Sequence, residues 1–292
     1  MPLLRINATA RGLRVHGSPQ SVTAALAGVA TGRGPAVIMV HGYKYSPFVQ
    51  GRCPHARIFH ATAWPDQLHS AERGALTIAF GWHARGGLVR AYDTALDQAR
   101  QLAQIVTALR GRGSVHIIAH SLGATLVLAA LPYLSAGDVG RIVLLSGAAH
   151  LGLARHALAT PAGAACEMFH VTGRSNALFD FAFERMIAGS GAIGRGLIHP
   201  NTATVQIDCP ATLALLAAAG YPIAPAQRRI CHWSCYTRTG VMALNAALLD
   251  GALGMEMLRS VLAALPPLAP PAKTRIMAWH NRGKGPPHEH AH

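Results

Sequence analysis

The stretch Val115-His116-Ile117-Ile118-Ala119-His120-Ser121-Leu122-Gly123-Ala124 decides how this chain is read. Val115 to Ala119 is a short, largely aliphatic run, the pattern of a strand buried on both faces. Leu122 to Leu131 is apolar all round and stops at Pro132, the pattern of a buried helix. Strand and helix thus meet at a single serine, Ser121. Ala119 and Gly123, two residues before and two after it, are small enough for the chain to turn sharply without a clash. Such a turn lifts the serine oxygen clear of the backbone, and the helix start offers unpaired N–H groups and a positive dipole end beside it.

Outward from this stretch the same alternation repeats. Ala36 to Val40, Ala75 to Phe80, Arg141 to Ser146, Met168 to Val171 and Thr204 to Ile207 are further strand-like runs. Ala91, Ala95, Ala99, Leu102, Ala103, Val106 and Leu109 recur at helical spacing before Gly111 and Gly113. Ala211–Ala219, Val241–Leu249 and Met255–Leu265 read as later helices. Strands alternating with helices predict an α/β fold: a mostly parallel central sheet covered by helices on both faces. Leu3 to Arg14 reads as one or two short antiparallel edge strands. Residues 43–73 hold His, Trp and Pro without a period and read as a long loop or cap. Residues 266–292 are Pro- and His-rich and read as a loosely docked tail. No internal repeat appears, so residues 1–292 read as one domain.

In a parallel sheet, sites form where loops leave the carboxyl ends of the strands. A second such end is Val40-His41-Gly42-Tyr43, where glycine permits close approach of the backbone to the Ser121 turn. His41-Gly42 followed by Ala119-His120-Ser121-Leu122-Gly123 resembles the α/β-hydrolase superfamily, in its lipase- and esterase-like branch, over roughly residues 34 to 265. The usual first glycine of G-x-S-x-G is Ala119 here. The resemblance implies a nucleophile elbow at Ser121, an oxyanion hole from the backbone amides of Leu122 and of Tyr43 or Lys44, and a Ser…acid…His order along the chain. It also implies an ester- or amide-type substrate and no cofactor.

That order places the general base after the last candidate strand. His232, in Cys231-His232-Trp233-Ser234-Cys235, lies there, while His199 precedes that strand. Between Ser121 and His232 the carboxylates are Asp138, Glu167, Asp180, Glu184 and Asp208. Asp138 and Glu167 fall on the wrong rim, and Glu184 lies deeper in a presumed helix. The resemblance implies an Asp near residue 176 or 177, but Asn176 and Ala177 stand there. Asp180 is the expected acid; Asn176 orienting the imidazole without charge, and Asp208 reaching in from the next strand end, are the alternatives.

Composition bounds the rest. The 26 Lys and Arg against 12 Asp and Glu give a formal net charge of +14, yet the basic residues are scattered and form no polybasic arm, so no nucleic-acid partner is expected. Ser114 to Gly137 lacks charge but contains His116, His120, Ser121, Gly123 and Pro132, which argues for strand, turn and helix rather than a transmembrane segment. Residues 1–10 lack a signal-peptide pattern, and five cysteines without a paired framework fit a reducing, cytoplasmic setting. The spacing of Cys209, Cys231, His232 and Cys235 does not match a zinc knuckle, so no metal is expected. The sequence therefore predicts a serine esterase acting on a small-molecule ester. An acyltransferase using the same residues, and a non-catalytic binding protein on a degenerate scaffold, are the rival readings.

Overall fold

The alternating aliphatic runs pair into one eight-stranded sheet in the computed structural model, which describes residues 3–30, 34–68 and 75–263. The strands are β1 (Leu3–Thr9), β2 (Gly12–Val15), β3 (Ala36–Val40), β4 (Leu76–Gly81), β5 (Val115–His120), β6 (Arg141–Leu145), β7 (Glu167–Thr172) and β8 (Thr202–Gln206). Their order across the sheet is β2-β1-β4-β3-β5-β6-β7-β8. Every neighbouring pair is parallel except β1 with β2. The predicted antiparallel edge is therefore present, and β1 also joins it to the main sheet by pairing in parallel with β4.

The helices are α1 (Val22–Ala30), α2 (Pro54–Arg57), α3 (Trp64–Gln67), α4 (Leu88–Ala108), α5 (Gly123–Ala130), α6 (Leu151–Leu158), α7 (Pro161–Ala165), α8 (Ala177–Met186), α9 (Pro210–Ala218), α10 (Ser234–Thr237), α11 (Val241–Asp250) and α12 (Met255–Ala263). Periodicity does not announce α1, α6 and α7. The first two carry an internal glycine, Gly28 and Gly152, and the third is a five-residue turn capped by the Thr160 hydroxyl, too short to show a period. Within residues 43–68, α2 and α3 are single turns, each with a proline near its start. Residues 69–73 of the expected cap, and the expected tail at 266–292, lie outside the described residues.

Alternate strand residues feed two cores, as the two-residue period of a strand requires. Ile38, Val40, Ile117, Ala119, Ile142 and Leu144 pack toward the face covered by α4 and α5, while Met39, Ile118, Val143 and Leu145 pack with Leu244 and Leu248 of α11 on the other. The chain steps from β3 to β4 on one side and to β5 on the other, so the strand order reverses between β3 and β5. The carboxyl ends of strands at such a reversal are the usual seat of a site in such sheets.

Candidate active site

Ser121 stands where β5 leaves the sheet. Its φ of 53° is left-handed, a conformation that a residue with a side chain adopts at a cost of roughly 1–3 kcal/mol. Lys44, past the end of β3, and Ser146, past the end of β6, are the other non-glycine residues of this kind among the described residues, with φ of 72° and 43°. All three sit on one rim of the sheet, at neighbouring strand ends.

Two glycines let the turns after β3 and β5 nest. A Cβ on Gly42 would lie 2.6 Å from the Ser121 Cβ and 2.7 Å from the His120 carbonyl oxygen; one on Gly123 would lie 2.8 Å from the His41 carbonyl oxygen. His41 is wholly buried and held in one tautomer: its Nε2 accepts the Trp82 amide (3.0 Å), leaving Nδ1–H to donate to the Gly42 carbonyl (2.9 Å). The Trp82 indole stacks on the ring and donates from Nε1 to the His41 carbonyl (3.0 Å). Burial drives the His41 pKa down to about 4, so it serves as a neutral support.

Of the amides around the Ser121 turn, that of Lys44 donates to the Ala84 carbonyl at 2.7 Å, which removes it as an oxyanion donor. Those of Leu122 and Tyr43 have no acceptor among the described residues. Leu122 is the N-cap of α5 rather than its first residue, so its amide belongs to the unpaired start of that helix.

His232 comes to Ser121 from the segment between α9 and α10. Its Nε2 lies 2.7 Å from Ser121 Oγ and its Nδ1 lies 2.6 Å from Asn176 Oδ1. Asn176 ends a 3₁₀ turn after β7 and is nearly fully buried. Its amide nitrogen donates to Asp180 Oδ1 at 3.0 Å, one turn further along in α8. Asp180 thus stands behind Asn176 rather than against the imidazole. Asp208 is elsewhere again: it accepts from the Ser175 amide (3.1 Å) and from Gln206 Nε2 (3.0 Å), pinning the loop that carries Asn176. His199 accepts the Asn201 amide at 3.2 Å.

Further bonds hold the segment that carries His232, and spacing rules could not anticipate them. His120 Nε2 and the Cys235 thiol both donate to the His232 carbonyl, at 3.1 and 3.6 Å. The Cys231 amide donates to the Ser175 carbonyl at 3.0 Å, and the Ser175 and Ser234 hydroxyls pair at 3.4 Å. Cys235 is buried, which raises its pKa to about 12 and leaves it a packed thiol. Phe179 stacks on the His232 ring, centroids 4.7 Å apart. Burial lowers the His232 pKa to about 4, keeping Nε2 free to accept a proton at neutral pH. The nearly half-exposed Trp233 meets the His232 ring edge-on, centroids 6.1 Å apart.

The mostly parallel eight-stranded sheet, with a left-handed serine between β5 and α5 at its point of strand reversal, has the architecture of the α/β-hydrolase fold. Residues 21–147 match the family described as alpha/beta hydrolase of unknown function (DUF900). No curated protein matches the chain. Solved structures similar to it include a lipase-esterase related protein from Clostridium acetobutylicum (10% identity, 64% of this chain and 90% of that one, TM-score 0.34). The lipase BlEst2 from Bacillus licheniformis follows (14% identity, 59% and 82%, TM-score 0.38). So does Est1E from Butyrivibrio proteoclasticus, solved with ferulic acid bound (14% identity, 60% and 81%, TM-score 0.33). The family match contains Ser121, Gly42 and Tyr43 but ends before Asn176, Asp180 and His232.

Proposed function

We propose that the protein is a serine hydrolase that cleaves an ester bond through an acyl-enzyme, with Ser121 as nucleophile, His232 as base and Asn176 orienting the imidazole. The observation that carries this reading is the unbroken line Ser121 Oγ–His232 Nε2–Asn176 Oδ1, with links of 2.7 and 2.6 Å. Ser121 Oγ attacks the ester carbonyl carbon while its proton passes to His232 Nε2. The tetrahedral oxyanion is held by the Leu122 and Tyr43 amides. Collapse expels the alkoxide, which takes the proton from His232 and leaves as the alcohol. Water then gives a proton to His232 and attacks the acyl-enzyme, and the second collapse returns that proton to Ser121 as the acid departs.

Phe179 and the part-exposed Trp233 beside His232 favour substrates with an apolar acyl or alcohol group. The five free thiols support a reducing, cytoplasmic setting. An uncharged Asn176 in place of a carboxylate is the observation that favours the rival reading, a binding protein on a silent hydrolase scaffold. The test is turnover of a p-nitrophenyl ester panel together with fluorophosphonate labelling. Wild type should turn over the esters and be labelled once, while Ser121→Ala should lose both, by at least about 10⁴-fold in rate, with its thermal transition unchanged. An unlabelled wild type would favour the binding reading, and full activity in Ser121→Ala would end the hydrolase one.

A further inference from the structure

We propose that Asp180 is a positioning residue whose ionised carboxylate selects the amide orientation of Asn176 and, through it, the tautomer of His232 that can take a proton from Ser121. The inference rests on the hydrolase reading above and deepens it by naming what controls the base.

The logic is one of donors and acceptors along a single chain of groups. An ionised carboxylate only accepts hydrogen bonds, so Asp180 draws the amide N–H of Asn176 toward itself (3.0 Å). That turns Asn176 Oδ1 to the imidazole, where it can only accept, so the His232 proton resides on Nδ1 (2.6 Å). Nε2 is then left bare, facing Ser121 Oγ at 2.7 Å. If the Asn176 amide turned over, its N–H would face Nδ1, the ring proton would move to Nε2, and Ser121 would face a donor. Asn176 cannot prefer one orientation by itself, because its two ends are nearly the same size. The preference comes from what stands behind it. In a Ser-His-Asp site the carboxylate touching the ring makes this choice directly; here it is made one residue further out.

The surroundings of Asp180 fit that task. The carboxylate rests against the backbone of Gly194, where a Cβ would overlap both of its oxygens. The charged groups that face it are Glu184, one turn on in α8, and Arg195, which follows Gly194. Glu184 is itself engaged by the Arg195 guanidinium and by the Ala192 amide (2.7 Å), so neither charge pairs directly with Asp180. Burial, the larger influence, lifts the Asp180 pKa to about 6, against the opposing bond from Asn176. His232 loses its proton near 4, so Asp180 is the group that titrates closer to neutrality. Protonated, it can donate as well as accept, and its hold on the Asn176 orientation is lost.

The experiment is the rate of fluorophosphonate labelling of Ser121 between pH 4 and 9, which needs no knowledge of the natural ester. Wild type should lose reactivity on a single-proton limb near pH 6. In Asp180→Asn, whose side chain has the same shape and does not titrate, that limb should vanish, leaving a lower plateau, about 10-fold or more down, that persists toward pH 4. Gly194→Ala, which keeps the carboxyl but displaces it, should reproduce the loss at pH 7 and serves as the second variant if Asp180→Asn folds poorly. The exchange Asn176→Asp/Asp180→Asn, which moves the charge onto the imidazole, should restore labelling with an acid limb moved to the His232 titration. An Asp180→Asn profile that overlays wild type, with Ser121→Ala unlabelled, would overturn the role of Asp180 while leaving the hydrolase reading standing. Absence of labelling in wild type would instead end that reading.

Discussion

The two halves of the candidate site are built by different means. The Ser121 half, from β3 to the turn after β6, is held by backbone and close packing: Gly42 against Ser121, Gly123 against His41, and His41 stacked on Trp82. The His232 half, residues 173–180 and 228–235, is held by side-chain and backbone bonds between segments far apart in the chain: Asn176 to His232, Asp208 to Ser175, Cys231 to Ser175. The first is rigid because nothing else fits. The second is specific because each donor has one acceptor, and it can be retuned one bond at a time. Packed halves should therefore fail all at once and bonded halves by degrees.

The sharpest way to break the first half is Gly42→Val. Its side chain must enter the space now filled by Ser121 and His120, at a cost of about 3 kcal/mol or more, and labelling of Ser121 should disappear together with a lowered thermal transition. Acid should act next, on this half through two buried imidazoles and on the other through His232, whose pKa burial also lowers to about 4. Burial lowers the pKa of both His41 and His116 from 6.5 to about 4 in the folded protein. Between those values the unfolded chain binds more protons than the folded one, so stability is full above pH 6.5 and falls as pH drops toward 4. At about 1.4 kcal/mol per pKa unit, the two sites together cost several kcal/mol, and thermal melts at pH 7, 6, 5 and 4 should show a steep, progressive decline. The smallest effect belongs to the bonded half. Asp208→Ala removes the acceptor for the Ser175 amide and should cost about 1 kcal/mol, with labelling slowed several-fold rather than lost, measured by melting and by the same probe kinetics.

This division also explains what could be read from residues alone. Ser121, Gly42 and the strands that carry them are written locally, as aliphatic runs ending in small residues, and the parallel sheet with helices on both faces follows from their alternation. His232 is expected beside Ser121 from the chain order that the resemblance implies, and its ring lies 2.7 Å from Ser121 Oγ. The partner of its ring does not follow from that order, because Asp180 and Asn176 lie four residues apart on one helical turn and only the three-dimensional path decides which is nearer. The Lys44 amide was excluded by a carbonyl forty residues on, at Ala84, which no motif records. Asp208 and His120 act on backbone atoms, and such roles leave no residue pattern at all.

The bond from His120 Nε2 to the His232 carbonyl has one more consequence, a mechanical one. His120 and Ser121 are consecutive, so Ser121 and His232 share an anchor on the same strand end. A displacement of the His232 segment that keeps this bond carries the residue beside Ser121 with it, so the 2.7 Å gap between Ser121 Oγ and His232 Nε2 should change less than the segment moves. Loosening the loop need not open that gap, so reactivity should hold on warming until β5 itself gives way.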